Sequence, residues 1–219
     1  MNIILLAAPA AGKGTQAELL KKEFKLNHIS TGDLLRSASH EDTSFGKELA
    51  DMMKTGKLIS DDIVLKVLNN YLDTCDNMNL LLDGFPRNTY QALKLDEILE
   101  GKNSKIDYVF LLDVPKQVLA DRITGRRLCK SCGYIYNVNI DSLKPINEGV
   151  CDNCGGELYQ RADDNEETFE VRYNEYLEQT APLIEYYKNK QVLYTVDNTQ
   201  PIEETFKELK DIINNWNTC

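Results

Sequence analysis

Short apolar runs alternate with longer stretches of helical period along this chain. The runs are Ile3-Ile4-Leu5-Leu6, Leu80-Leu81-Leu82, Val109-Phe110-Leu111-Leu112 and Val192-Leu193-Tyr194-Thr195-Val196, with His28-Ile29-Ser30 as a weaker fifth. The first four runs are apolar enough that each predicts a strand buried on both faces, as in a parallel sheet. Between them, Ala17, Leu20 and Phe24 share a helix face, as do Ile63, Val67 and Tyr71 beside Val64, Leu68 and Leu72. Ser60 before Asp61 and Asp62 predicts a capped helix start. A last helix follows Pro201, with Glu203 and Glu204 at its positive end and Ile202, Phe206, Leu209, Ile213 and Trp216 at helical spacing. Strand-helix alternation of this kind predicts an α/β fold, a five-stranded parallel sheet flanked by helices.

One stretch departs from the pattern. From about residue 128 to 160 the chain turns to Cys, Gly, Asn, Asp and Pro with little periodicity, as expected of an insertion held by something other than a core. Within it lie Cys129-x-x-Cys132 and Cys151-x-x-Cys154 with eighteen residues between the pairs, the spacing of a four-thiolate zinc site. Gly133 and Gly155 follow the pairs and let the chain turn tightly. Two disulfides are the alternative, which an intracellular enzyme seldom keeps. Four protein ligands leave no open coordination position, so the metal would be structural; iron can occupy the same thiolates.

With 219 residues, the chain suits one main domain plus that insertion. A net charge of −10 argues against nucleic-acid binding, and no apolar run reaches the roughly 20 residues of a membrane helix. A cytoplasmic location is expected. Of 25 Lys and Arg only seven are Arg, and Arg122, Arg126, Arg127, Arg161 and Arg172 crowd around the insertion. Their planar forks suit phosphate oxygens.

Chemistry is concentrated at two strand ends. After the first strand, Ala7-Ala8-Pro9-Ala10-Ala11-Gly12-Lys13-Gly14-Thr15 leads into a helix, an order that gathers backbone N–H groups and the positive helix end around one point. Lys13 can reach outer phosphates, and Thr15 supplies a hydroxyl. After the third strand, Asp83-Gly84-Phe85-Pro86-Arg87 puts a carboxylate at the sheet edge where open α/β sheets bind ligands, fit to anchor magnesium through water.

Gly-Lys-Gly-Thr-Gln-Ala, Asp-Gly-Phe-Pro-Arg, the two cysteine pairs and the arginines that bracket them together resemble the adenylate kinases of the metal-binding bacterial type, across almost the whole chain. The resemblance implies a P-loop core at 1–127 and 162–219, with an AMP-binding helical segment at about 30–59 and a zinc-binding lid at 128–161. It implies reversible transfer of a phosphoryl group from ATP to AMP, giving two ADP, with magnesium and closure of the lid, in a monomer. By the same resemblance Lys13, Arg87, Arg122, Arg126, Arg161 and Arg172 are catalytic. ATP would meet Ala10, Ala11, Gly12, Lys13, Gly14, Thr15, Arg122, Arg126, Ile135, Tyr136 and Gln200, the last three partly through backbone. AMP would meet Thr31, Arg36, Lys57, Leu58, Ile59, Gly84, Phe85, Arg87, Gln91, Arg161 and Arg172. Asp163 and Asp164 would tie the closed lid.

The loop departs from that family at Ala7 and Ala10, where glycine is usual. Alanine is disfavoured if either position needs a positive φ. Neither His28 nor His40 reads as a general base; phosphoryl transfer needs none. Two rival readings remain, a kinase for another nucleoside monophosphate and a degenerate kinase that binds without turnover. Thr31 and Gln91 lean toward adenine.

Overall fold

A computed structural model describes residues 1–54, 59–74, 79–161 and 164–216. In chain order the elements are β1 (Ile3–Leu6), α1 (Lys13–Phe24), β2 (Asn27–Ser30), α2 (Thr31–Ser39), α3 (Ser44–Lys54), α4 (Asp61–Asp73), β3 (Leu80–Asp83), α5 (Thr89–Gly101), β4 (Tyr108–Asp113) and α6 (Lys116–Gly125). Then come β5 (Arg126–Cys129), β6 (Ile135–Asn137), β7 (Leu158–Tyr159), α7 (Glu166–Glu175), α8 (Pro182–Asn189), β8 (Leu193–Asp197) and α9 (Ile202–Trp216).

Five strands form one sheet in the order β2-β3-β1-β4-β8, every neighbouring pair parallel. All five predicted strands are present. Strands β2 and β8 lie at the two edges of the sheet and are only partly covered, with Thr195 exposed, so β8 is not buried on both faces as its sequence predicts. The unbroken apolar character of β1, β3 and β4 has the expected cause. Ile3 and Leu5 face one buried cluster with Phe110, Leu20, Ile123 and Leu209, while Ile4 and Leu6 face another with Leu82, Leu68, Leu95 and Tyr187. Successive side chains point to opposite sides of a strand, so a run coated by helices on both faces must be apolar at every position.

Because the strands are parallel, their carboxyl ends share one edge. That edge carries Ser30 paired in register with Asp83, and Asp113 paired with Asp197. β1 lies in the middle, and the chain leaves it toward β2 on one side and later reaches β4 on the other. A crevice at the carboxyl edge beside such a central strand is where open α/β sheets take their ligands.

Between Arg126 and Tyr159 a second sheet, antiparallel and in the order β6-β5-β7, forms with its own small cluster of Cys129, Tyr136, Cys151 and Leu158. Two of those four residues belong to the cysteine pairs, so the metal ligands themselves make up half of this unit's interior.

Candidate nucleotide site and metal knuckle

The loop after β1 takes the shape its sequence demands. Ala10 adopts φ 64°, and Gly12 caps α1 at φ 89°, ψ 16°, both left-handed. Ala7 keeps a negative φ and is packed into the core, 6% exposed. Of the two alanines that replace the usual glycines, only Ala10 occupies a conformation that favours glycine. Alternating hands along such a turn direct successive N–H groups inward, and the first turn of α1 adds N–H groups with no partner in the helix. A β-carbon on Gly12 would lie 2.9 Å from the Asn198 amide nitrogen.

Asn198 escaped the sequence reading. It follows β8 directly, and its N–H donates to the Asp113 carbonyl at 3.0 Å. Its side-chain amide donates to the Ala11 carbonyl, and its own carbonyl accepts from Arg122 Nη2 at 2.9 Å. One buried asparagine thus joins the phosphate loop, the end of β4 and an arginine of α6. Burial lowers the Arg122 pKa, against the opposing charge of Asp197. Thr199 closes the same turn through its N–H and hydroxyl on Asp197, and Gln200 bonds there too.

Lys13 Nζ stands 3.5 Å from Asp83 Oδ1, and His28 Nε2 stands 3.6 Å from Asp83 Oδ2. Burial alone would raise the Asp83 pKa. His28 and Lys13 outweigh it and hold the carboxyl below its usual range. The carboxylate therefore stays ionised at the sheet edge, with an oxygen donor set that suits magnesium when phosphate oxygens complete the shell. Arg87 is desolvated by burial, which lowers its pKa, while the charges of Glu175 and Asp83 oppose that. Arg87 is exposed to solvent all the same, so its guanidinium is open to an arriving phosphate.

Beside this pair lies a second group of predicted residues. Thr31 Oγ1 donates to the Gly84 carbonyl at 3.0 Å, and Arg87 Nε donates to the same oxygen at 3.0 Å. Gln91 is buried, and its Oε1 accepts from the Arg87 N–H at 2.8 Å. Phe85 is a core residue, Arg36 is exposed on α2, and Ile59 lies in the segment leading into α4. Lys57, Leu58 and Asp163 fall outside the described residues.

In the second sheet, Ile135 Cδ1 would meet a β-carbon on Gly14 at 3.9 Å, so the base of this unit sits over the phosphate loop. The Tyr136 side chain turns inward; its hydroxyl accepts from the Asp152 N–H at 2.7 Å and lies 3.5 Å from Cys151 Sγ. Arg126 engages the fully buried Asp164 carboxylate through two bonds, Nε to Oδ2 at 2.8 Å and Nη2 to Oδ1. The Arg161 carbonyl accepts from the Asp164 N–H at 3.1 Å, and Arg172 occupies the last turn of α7.

The four cysteines are unbridged, and their Sγ atoms all lie within 4.8 Å of one another. Cys129–Cys154 is 3.5 Å and Cys132–Cys151 is 3.6 Å. Tetrahedral zinc with bonds of about 2.3 Å requires sulfurs roughly 3.8 Å apart. Each pair sits on the expected tight turn: Gly133 and Gly155 both take φ 73°, and their N–H groups return to the Cys129 and Cys151 carbonyls at 3.0 and 2.8 Å. Burial raises the Cys151 thiol, but hydrogen bonds from Tyr136, Cys154 and Asn153 bring it down to about 6. Cys154, bonded to the neighbouring thiols, is pushed up to about 12, so the metal-free thiols share their protons unequally. Donor type, distance and turn geometry all fit structural zinc.

Comparison with known proteins agrees with this geometry. The model of the adenylate kinase family matches residues 5–192. A protein named adenylate kinase from Clostridium tetani is 45% identical over 214 residues, 97% of this chain and 98% of the relative. Others so named come from Caldicellulosiruptor saccharolyticus, 47% identical over 95% of this chain and 97% of the relative, and Bacillus licheniformis, 42% over 97% and 98%. With the loop, the Lys13–Asp83 pair and the four-thiolate knuckle in place along a full-length match, this chain belongs to the adenylate kinase family.

Proposed function

We propose that this chain transfers the terminal phosphoryl group of ATP to AMP, reversibly, to give two ADP. The observation that carries the proposal is the meeting of Lys13 and Asp83 at 3.5 Å on the carboxyl edge of the sheet, between a glycine-capped anion loop and the Thr31–Gly84–Arg87–Gln91 group. Two nucleotides can lie there with their phosphates toward each other.

In this reading the N–H groups of Ala10, Ala11, Gly12, Lys13, Gly14 and Thr15 hold the phosphates of ATP. The Lys13 ammonium follows the charge of the group in transit. Arg122, Ile135 and the Gln200 turn contact the donor nucleotide, Tyr136 through backbone only, since its side chain is committed to the knuckle. Thr31, Arg36, Ile59, Gly84, Phe85 and Gln91 hold AMP, as do Lys57 and Leu58. Arg87, Arg126, Arg161 and Arg172 neutralise charge on the phosphates; Arg126 leaves or shares Asp164 as the lid moves, and Asp163 joins that tie. Magnesium, held by Asp83 through water, would supply charge neutralisation on the outer phosphates. Transfer of a loose phosphoryl group demands alignment and exclusion of water rather than a general base. The lid, residues 128–161 with the zinc held by Cys129, Cys132, Cys151 and Cys154, closes over the nucleotides and excludes that water.

No described helix is long and apolar enough to cross a membrane; the cytoplasm is the place of action this reading implies. Ala10 holds the left-handed conformation that glycine would take, at a cost in strain, and ADP formation is what separates turnover from the degenerate-kinase alternative. The test is ADP formation from ATP and AMP with magnesium, alongside Lys13→Met. A wild-type protein that makes no ADP, or a Lys13→Met variant that makes as much, refutes the proposal.

A further inference from the structure

Gln91 is 2% exposed on the first turn of α5, and its amide has two partners of opposite and fixed character. Its Nε2 donates to Asp61 Oδ1 at 2.6 Å, and its Oε1 accepts from the Arg87 N–H at 2.8 Å. A carboxylate only accepts and a backbone N–H only donates, so turning the amide over would set donor against donor and acceptor against acceptor. Asp61 is itself held. It lies in the first turn of α4, where the helix dipole favours negative charge, and it receives the Asn88 side-chain amide at 3.0 and 3.2 Å. Asn88 in turn caps α5 by accepting the Gln91 N–H at 2.9 Å.

After these bonds the amide retains one N–H and one oxygen lone pair in a set order. The pairing edge of adenine offers an acceptor at N1 beside a donor at the exocyclic amine. A 6-oxopurine offers a donor at N1 beside an acceptor oxygen, the reverse. A freely turning glutamine can satisfy either edge, whereas a locked one satisfies only one of them.

We propose that Asp61 is a positioning residue for base selection: with the Arg87 N–H it locks the Gln91 amide in one orientation, so that the acceptor nucleotide is read as adenine and 6-oxopurines are refused. This rests on the reading that Gln91 contacts the base of AMP.

The experiment compares kcat/KM for AMP and for IMP, with saturating ATP, in wild type, Asp61→Asn, Asp61→Glu and Gln91→Leu. Any fraction of a variant that fails to fold cancels from the AMP/IMP ratio, so a purely structural role leaves the ratio unmoved. Asp61→Asn can either donate or accept, and its ratio is expected to fall about tenfold, mostly through a lower KM for IMP. Asp61→Glu retains an acceptor-only partner and keeps a ratio near that of wild type. Gln91→Leu loses base reading and its ratio collapses. If Gln91→Leu lowers the ratio while Asp61→Asn keeps it, Asp61 is no lock, though Gln91 still reads the base. If Gln91→Leu leaves the ratio unchanged, Gln91 does not contact the base, and the lock falls with that reading.

Discussion

The two alanines of the phosphate loop should respond to glycine with opposite signs. At Ala10 the backbone already stands at φ 64°, where an L side chain crowds the following carbonyl at roughly 1–2 kcal/mol. Replacing it with glycine removes that strain, but gives the unfolded chain more freedom, worth about 0.4–1 kcal/mol in the other direction. The net expectation is a gain of about 0.5–1 kcal/mol, or roughly 2 °C in Tm for a chain of this length. At Ala7 no strain exists to relieve, and the methyl is buried against the core. Ala7→Gly forfeits about 0.8 kcal/mol of burial. The same unfolded-state term now adds, for a loss of about 1.5 kcal/mol in total. Urea unfolding of both variants under one buffer measures the difference. Stabilisation by Ala7→Gly, or destabilisation by Ala10→Gly beyond about 0.5 kcal/mol, would refute the assignment of strain to one position alone.

Arg126→Met strands the Asp164 carboxylate without its partner in a fully buried site, so a loss of about 3 kcal/mol or more is expected, part of it recovered in Arg126→Met with Asp164→Asn; chemical denaturation of single and double variants checks the sign of the recovery. Removing metal with a chelator should melt the segment from Arg126 to Tyr159 while the five-stranded sheet persists, seen as new protease cuts confined to that segment and as four newly reactive thiols; equal protease resistance with and without metal would contradict the knuckle. The Tyr187 hydroxyl is buried with no hydrogen-bond partner among the described residues, and burial pushes its pKa far up, so Tyr187→Phe is expected to leave stability unchanged or raise it by about 1 kcal/mol in thermal unfolding.

Much of this molecule can be read along the chain because its signals are local. A strand coated on both faces writes itself as consecutive apolar residues, so β1, β3 and β4 were legible, and the knuckle was legible because ligand spacing and the two following glycines lie within a few residues. The helix α7 left no such trace. Only Phe169 among its ten residues is buried, so no stripe exists to be seen. The unread parts of the site are tertiary in origin. Asn198 acts on a loop 187 positions away, and nothing in Val-Asp-Asn-Thr-Gln distinguishes it from an ordinary turn. Asp61 was visible as a charge at a helix start, but its grip on Gln91 depends on how α4 and α5 pack. His28 reads as a packed residue in isolation; only the pairing of β2 with β3 brings it beside Asp83.

The small antiparallel unit keeps its interior to itself. Its four core residues come entirely from the segment between Cys129 and Leu158, and coordinate bonds replace the interdigitated side chains that a sheet of this size would otherwise borrow from a neighbour. The proposed closure would therefore move it as one body, with nothing inside to repack. If the unit closes over the nucleotides as proposed, the work of opening falls on its boundary with the core, the Arg126–Asp164 pair among it, so substitutions at that boundary are expected to change the rate without touching the thiolates.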